Sequence, residues 1–306
     1  MIRAFKPLQW LLPPIVVLLA GIVLWRQLHM LSLAQMRAAW TDTPWMSIVL
    51  SLLGTAFSFA CLAGYERFAT QRVIPGFIPA RVALQVGAMT HAVSNTLGFH
   101  ALTGGALRYH LYRRLGPGVA DVTRVVAVVA MCVGTGVVLV TLIALLWTQF
   151  ESGGLARMII LAAALLLLGL LLLVRTGRGG AGLDSILRML GRSGGMLLLA
   201  LVEMIAAIGA LYVLLPAGVA PPLAQFALVF VGAMLLGIVS HAPGGIGVFE
   251  TTMLAALGTD HGSRVLVALL LYRALYNLLP FAVTMTVLLP ALLRSRLAAR
   301  SIGWRV

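Results

Sequence analysis

The sequence predicts an all-α polytopic membrane protein, with about six full transmembrane helices plus two re-entrant or broken helical hairpins in an inverted-repeat arrangement. Three observations carry that prediction. Of the 306 residues, 61% are apolar and only 10% charged, whereas an ordinary soluble chain has about a quarter charged. The apolar residues gather into runs that suit a bilayer, whose hydrocarbon core, about 30 Å thick, is crossed by about 20 helical residues. Two of those runs are interrupted by glycine-rich stretches that each contain a Gly-Gly pair. No segment between the runs is long or polar enough to fold in water, so a separate soluble catalytic domain is not expected.

The first run, 8–25, follows Arg3 and Lys6 and reads as an uncleaved anchor, because a cleaved leader precedes an exported soluble domain. Full spans are then expected over 45–64, 119–147, 156–174, 196–215 and 265–293. Between them lie an interrupted stretch of about 82–108 and a second of about 223–257. Cations set the orientation, because cytoplasmic loops are enriched in Lys and Arg. If 82–107 crossed once, Arg108, Arg113, Arg114 and Arg124 would face out, against that rule. A segment that enters and leaves on the cytoplasmic side removes the conflict. The second interrupted stretch must then begin and end outside, for the tail with Arg294, Arg296, Arg300 and Arg305 to finish inside. Both termini are thus cytoplasmic. Every Lys and Arg falls inside except Arg26, Arg37, Arg157 and Arg264, which face out, and Arg273 within the last span. The net charge of +14 is therefore assigned to loops facing anionic lipid, not to nucleic acid.

Two oppositely facing interruptions form the pattern of an inverted repeat. In the first, Thr103-Gly104-Gly105 precedes Arg108; in the second, His241-Ala242-Pro243-Gly244-Gly245-Ile246-Gly247 precedes Glu250. Glycine pairs free the backbone and admit close approach, and Pro243 cannot continue a helix that it follows. Unwound backbone at membrane depth survives only inside protein or beside a wet cavity. Broken segments at matching positions of two halves point to a transporter's binding site. The competing explanation is close helix packing through small residues.

The stretch Ser94-Asn95-Thr96-Leu97-Gly98 through Thr103-Gly104-Gly105, Arg108-Tyr109 and Tyr112 to Gly116 resembles the first motif of the lysylphosphatidylglycerol synthase/flippase transmembrane family. The run from His241 to Glu250 is similar to that family's second motif, and Gly64-Tyr65-Glu66-Arg67 and Tyr272-Arg273 followed by Pro280 also fit. The resemblance covers nearly the whole chain. It implies a flippase of the bacterial cytoplasmic membrane that moves aminoacylated or otherwise modified phosphatidylglycerol, as the amino-terminal portion of the multiple peptide resistance factor does. The soluble synthase domain has no counterpart here, so the resemblance implies a separate lipid synthase as partner, or a different lipid.

The residues themselves allow specific roles. A phospholipid head group crosses hydrocarbon slowly because its charges are costly to desolvate, so a carrier must offer polar partners. Arg108 has a planar fork suited to phosphate oxygens, and freed N–H groups around Gly104 and Gly105 add to such a site; the plainer role is a border cation. Glu250 can receive a cationic head group or a proton, or form an ion pair with Arg273. Glu203 is a second interior acid, whose pairing with an Arg or a polar helix neighbour is as plausible as a transport role. Asn95 satisfies broken backbone or touches substrate, Thr103 by default bonds local backbone, and His241 lines the cavity or packs between helices. Pro243, Gly244, Gly245 and Gly247 complete the expected substrate site.

Cys61 and Cys132 stand alone in apolar runs, so neither a disulfide framework nor a metal is expected. The histidines form no close helical pair beside a carboxylate. With no phosphate-binding loop, no nucleotide cofactor is expected either. An intramembrane enzyme that modifies lipid head groups, or a scaffold for a lipid-synthesis complex, are the alternatives to transport. A homo-oligomer is compatible with each.

Overall fold

The computed structural model of the chain describes residues 43–98, 100–149, 194–240, 242–257 and 262–302, with Ala34 and Thr41 as isolated positions. The described residues form helices α1 (Trp45–Val73), α2 (Ala80–Leu97), α3 (His100–Tyr112), α4 (Val119–Gln149), α5 (Gly194–Tyr212), α6 (Leu223–Val239), α7 (Val248–Leu257), α8 (Gly262–Tyr272) and α9 (Leu279–Ile302). A π-helical turn, Arg273–Leu278, joins the last two. Among the described residues, four stretches are long and apolar enough to cross a membrane: Trp45–Val73, Val119–Thr148, Gly194–Tyr212 and Arg264–Pro290. They coincide with four of the six spans expected from the sequence. The other two, 8–25 and 156–174, lie outside the described residues, as do the basic loop 175–192 and His241.

The surface is inside out relative to a soluble protein. Along α1, Trp45, Leu50, Leu53 and Phe57 are exposed while Ser51, Thr55 and Ser58 are buried at helical spacing. Leu198 and Ile205 on α5 and Val283 and Val287 on α9 are exposed as well. An apolar exterior around a polar seam suits hydrocarbon, where each exposed polar group is costly. Helix α1 outruns its apolar stretch by a further turn or two because Tyr65, Glu66, Ala69 and Thr70 are buried within the bundle. It stops at Ile74, just before Pro75.

Packing fixes the helix directions. Gly54 abuts Ala206 and Ala210, Gly64 abuts Leu199, and Ser58 between them bonds Glu203, so α1 and α5 are antiparallel. Gly136 of α4 faces the Ala200 carbonyl of α5. Cys132 shares a cluster with Met196, and Val140 shares the next with Met204. Helices α4 and α5 are thus parallel, and Gln149 and Gly194 lie at opposite ends of the bundle.

Helices α2 and α3 fold back on each other. Ser94 of α2 meets Thr103 of α3 near the turn, whereas Gly87 of α2 and Arg108 and Tyr112 of α3 all reach Glu66. The turn differs from the one expected. Gly104 and Gly105 lie within continuous helix α3, and the chain reverses at Gly98, whose φ of 78° and ψ of −166° fit glycine alone. Gly104 serves close packing instead: a Cβ there would lie 2.8 Å from Arg108 Nη1 and 2.8 Å from Ser94 Oγ. In the second hairpin the glycines do make the break. Gly244, Gly245 and Gly247 have φ of 59°, 65° and 84° between α6 and α7, and Phe230 and Phe249 hold the two arms together edge to face at 5.5 Å.

The π-helical turn also has a sequence cause. Pro280 cannot donate to the carbonyl four residues back, and its ring clashes there in an α-helix. The helix widens over the preceding turn, and the Asn277 carbonyl takes a hydroxyl from Thr96 at 3.1 Å.

Candidate functional site

Two buried guanidinium groups, one for each hairpin, define the polar interior. The first is Arg108, which sequence alone leaves as either a border cation or an anion site. It is 3% exposed. Its Nε donates to Glu66 Oε2 at 2.8 Å, and Tyr112 donates its hydroxyl to Glu66 Oε1 at 2.9 Å. Glu66 and Tyr112 are fully buried. A lone buried charge is expensive; this one is neutralised by a carboxylate whose other oxygen has its own donor. Arg108 Nη2 is buried without any partner. His91, buried on α2 within the electrostatic range of Arg108, also has an unpartnered nitrogen, Nε2.

The second is Arg273, on the π-helical turn. Its Nε donates to Glu250 Oε1 at 2.6 Å, its Nη1 to the Gly244 carbonyl at 2.5 Å and its Nη2 to the Gly245 carbonyl at 3.3 Å. The Phe249 ring lies 5.5 Å beneath the guanidinium, close enough for a cation–π contact. Glu250 Oε2 accepts the Gly247 N–H at 2.8 Å. The carboxylate thus caps the first turn of α7 in the manner of a capping box. One arginine fills the orphan acceptors of the glycine break while its acid partner fills an orphan donor.

The two hairpin tips touch. A Cβ on Gly244 would sit 2.7 Å from the Thr96 carbonyl, so only glycine allows this approach. Asn277 Nδ2 donates to the Asn95 carbonyl at 3.0 Å. The π-helical turn therefore clasps both tips, the second through Arg273 and the first through Asn277. Asn95 Oδ1 accepts a hydrogen bond from His100 Nε2 at 3.1 Å. Thr103 donates to the Gly98 carbonyl at 2.9 Å, closing the reversal locally.

No family model matches the chain. A protein of the cyanobacterium Synechocystis, uncharacterized protein slr0712, is 30% identical to it over 253 residues, covering 76% of this chain and 77% of the relative. The chain belongs to the slr0712 family.

For this member of the slr0712 family, sequence reasoning brings Arg108, Glu250 and Arg273 forward and offers the ion pair between the last two, which the structure contains, but it misses Glu66 as the partner of Arg108. Glu66 enters the sequence reading only within the motif Gly64-Tyr65-Glu66-Arg67, with no role of its own; in the structure Arg67 is exposed and Glu66 is sealed inside. Asn277 carries no signal beyond its place shortly before Pro280. Among the described residues Glu203 finds a hydroxyl and not an arginine: Ser58 donates to its Oε1 at 2.9 Å. Pro243 begins the short turn that leads into the glycine break.

Proposed function

We propose that the protein translocates a phospholipid, an aminoacylated or otherwise modified phosphatidylglycerol, across the bacterial cytoplasmic membrane. The observation that carries this reading is a pair of buried guanidinium groups behind two touching hairpin tips, one of them with an unpartnered Nη2. With Nε committed to Glu66, the outer edge of Arg108 is left for phosphate oxygens, in the planar geometry that an arginine offers and a lysine does not. Hairpin α2–α3 opens toward the arginine-rich end of the bundle and takes the head group from the inner leaflet. Hairpin α6–α7 opens toward the other end and presents it outside, with Glu250 and Arg273 exchanging their mutual bond for bonds to the ammonium and phosphate of the passing head group. Six spans, two re-entrant hairpins and cytoplasmic termini agree with Gln149 and Gly194 lying at opposite ends of the bundle. Chemistry on the lipid forms no part of this reading.

The test is purified protein in phosphatidylglycerol vesicles doped with lysylphosphatidylglycerol, scored by an amine reagent that cannot enter. Redistribution between leaflets with no covalent change is the expected result. Arg108→Ala and Arg108→Lys should abolish it while the protein still inserts and stays monodisperse in detergent. A new lipid product, or no movement in wild-type vesicles, contradicts the proposal.

A further inference from the structure

Of the interior acids, Glu66 and Glu250 have arginine partners and Glu203 has none among the described residues. It lies midway along α5 and is 4% exposed. Its Oε1 accepts the Ser58 hydroxyl at 2.9 Å, and its Oε2 is buried with no partner. Because the single Ser58 proton is committed to Glu203, the 2.6 Å contact between Ser58 Oγ and Tyr276 Oη has Tyr276 as donor. A directed chain thus runs from Tyr276 through Ser58 to Glu203, near the middle of three candidate spans. The titratable groups around it are Cys61 and Tyr65 on α1, Tyr272 at the end of α8 and Tyr276 on the π-helical turn, with Cys132 of α4 beside Tyr65. Helix α6 contributes none, and the cation of α8, Arg264, is exposed at its far end. Arg273, which shares the π-helical turn with Tyr276 and lies within electrostatic range of Tyr272, is committed to Glu250, so no unpaired cation among these neighbours offsets the carboxylate.

We infer that Glu203 binds and releases a proton during transport, and that Ser58 and Tyr276 pass its charge state to the turn that clasps both hairpin tips. Oε2 takes the proton without breaking an existing bond, since nothing donates to it, while Oε1 keeps its bond to Ser58. The carboxylate becomes a carboxylic acid on uptake from one aqueous face and is restored on release to the other. A hydrogen bond to a charged acceptor is about twice as strong as a neutral one, so protonation slackens the pull of Ser58 on Tyr276. Tyr276 lies between Arg273 and Asn277 on a π-helical turn, a structure frequent at functional sites. Loosening it loosens the residues that grip Gly244 and Asn95.

This coupling rests on the transport reading, so the experiment has two readouts on full-length protein in vesicles. Infrared difference spectra between high and low pH report the C=O stretch of a protonated carboxyl, whether or not lipid moves. Lysylphosphatidylglycerol redistribution is followed in parallel with and without an imposed pH difference. Wild type should show the band and a rate that follows the pH difference; Glu203→Gln should lose both the band and the dependence. Ser58→Ala should keep the band, shifted because Oε1 has lost its donor, and lose the dependence. A Glu203→Gln spectrum identical to wild type overturns the inference, as does wild-type pH dependence in that variant or a rate that follows sodium instead of pH. A wild-type band with no lipid movement overturns the transport reading while upholding the proton site.

Discussion

Arg108 and Glu66 are each costly alone in a dry interior, and each accounts for the other. Removing one partner of a buried ion pair costs about 3–5 kcal/mol because the survivor is left uncompensated. Glu66→Ala should therefore lower the detergent melting temperature sharply, whereas pairing Glu66→Gln with Arg108→Gln should recover much of that stability and no lipid movement. Separate recovery of stability and activity distinguishes an anion site from a structural bridge. The adjacent glycines offer a finer contrast. Gly104→Ala drives a methyl group into Arg108 Nη1 and Ser94 Oγ, while at Gly105 the nearest atom, on Val126, is 3.9 Å away. Alanine is favoured over glycine in a helix by about 1 kcal/mol. Gly105→Ala should melt at the wild-type temperature or higher and move lipid normally, and Gly104→Ala should fail in the redistribution assay. The sequence shows this pair as one feature because two identical residues carry no mark of what faces them. Arg108 and Arg273 were legible as unusual, but Glu66 was not, since its arginine partner is 42 positions away.

Hairpin tips and the π-helical turn are where local rules and long-range packing meet. Both hairpins were legible from interrupted hydrophobic runs and from the placement of cations. The turn of the second was legible too, because Pro243 and three glycines leave the backbone little else to do. The first was misplaced by several residues: Gly98 makes the reversal with a single glycine, and a lone glycine in an apolar stretch is indistinguishable from one used for packing. The π-helical turn follows from Pro280 through the bond that proline cannot make, although which side chains the widened turn would present was not readable. Proline in a helix interior costs about 3 kcal/mol. Pro280→Ala should let Arg273–Leu278 relax toward ordinary helix, withdrawing Arg273 from Gly244 and Asn277 from Asn95. The expected result is a melting temperature equal to or above wild type together with lost lipid redistribution. A variant that is both more stable and fully active would show that the widened turn is incidental.

Across the whole molecule, one arrangement explains the exposed apolar rim, the polar seam and the buried charges. Two hairpins enter a helical bundle from opposite ends, and their tips meet where only glycine fits. Composition and run length made the membrane class legible at once. The convergence of the tips depends on contacts between residues as far apart as Thr96 and Gly244, which no local pattern encodes. The opposed openings are measurable directly. Leu115, just beyond the open end of α3, and Leu223, at the start of α6, are 39% and 54% exposed, while Cys61 and Cys132 are buried and contribute little background. Leu115→Cys and Leu223→Cys, made singly, should be treated in intact cells with a maleimide that cannot cross the membrane. Labelling at 223 from outside, with 115 reached only after the cells are opened, is the predicted result; labelling of both positions from the same face would contradict it.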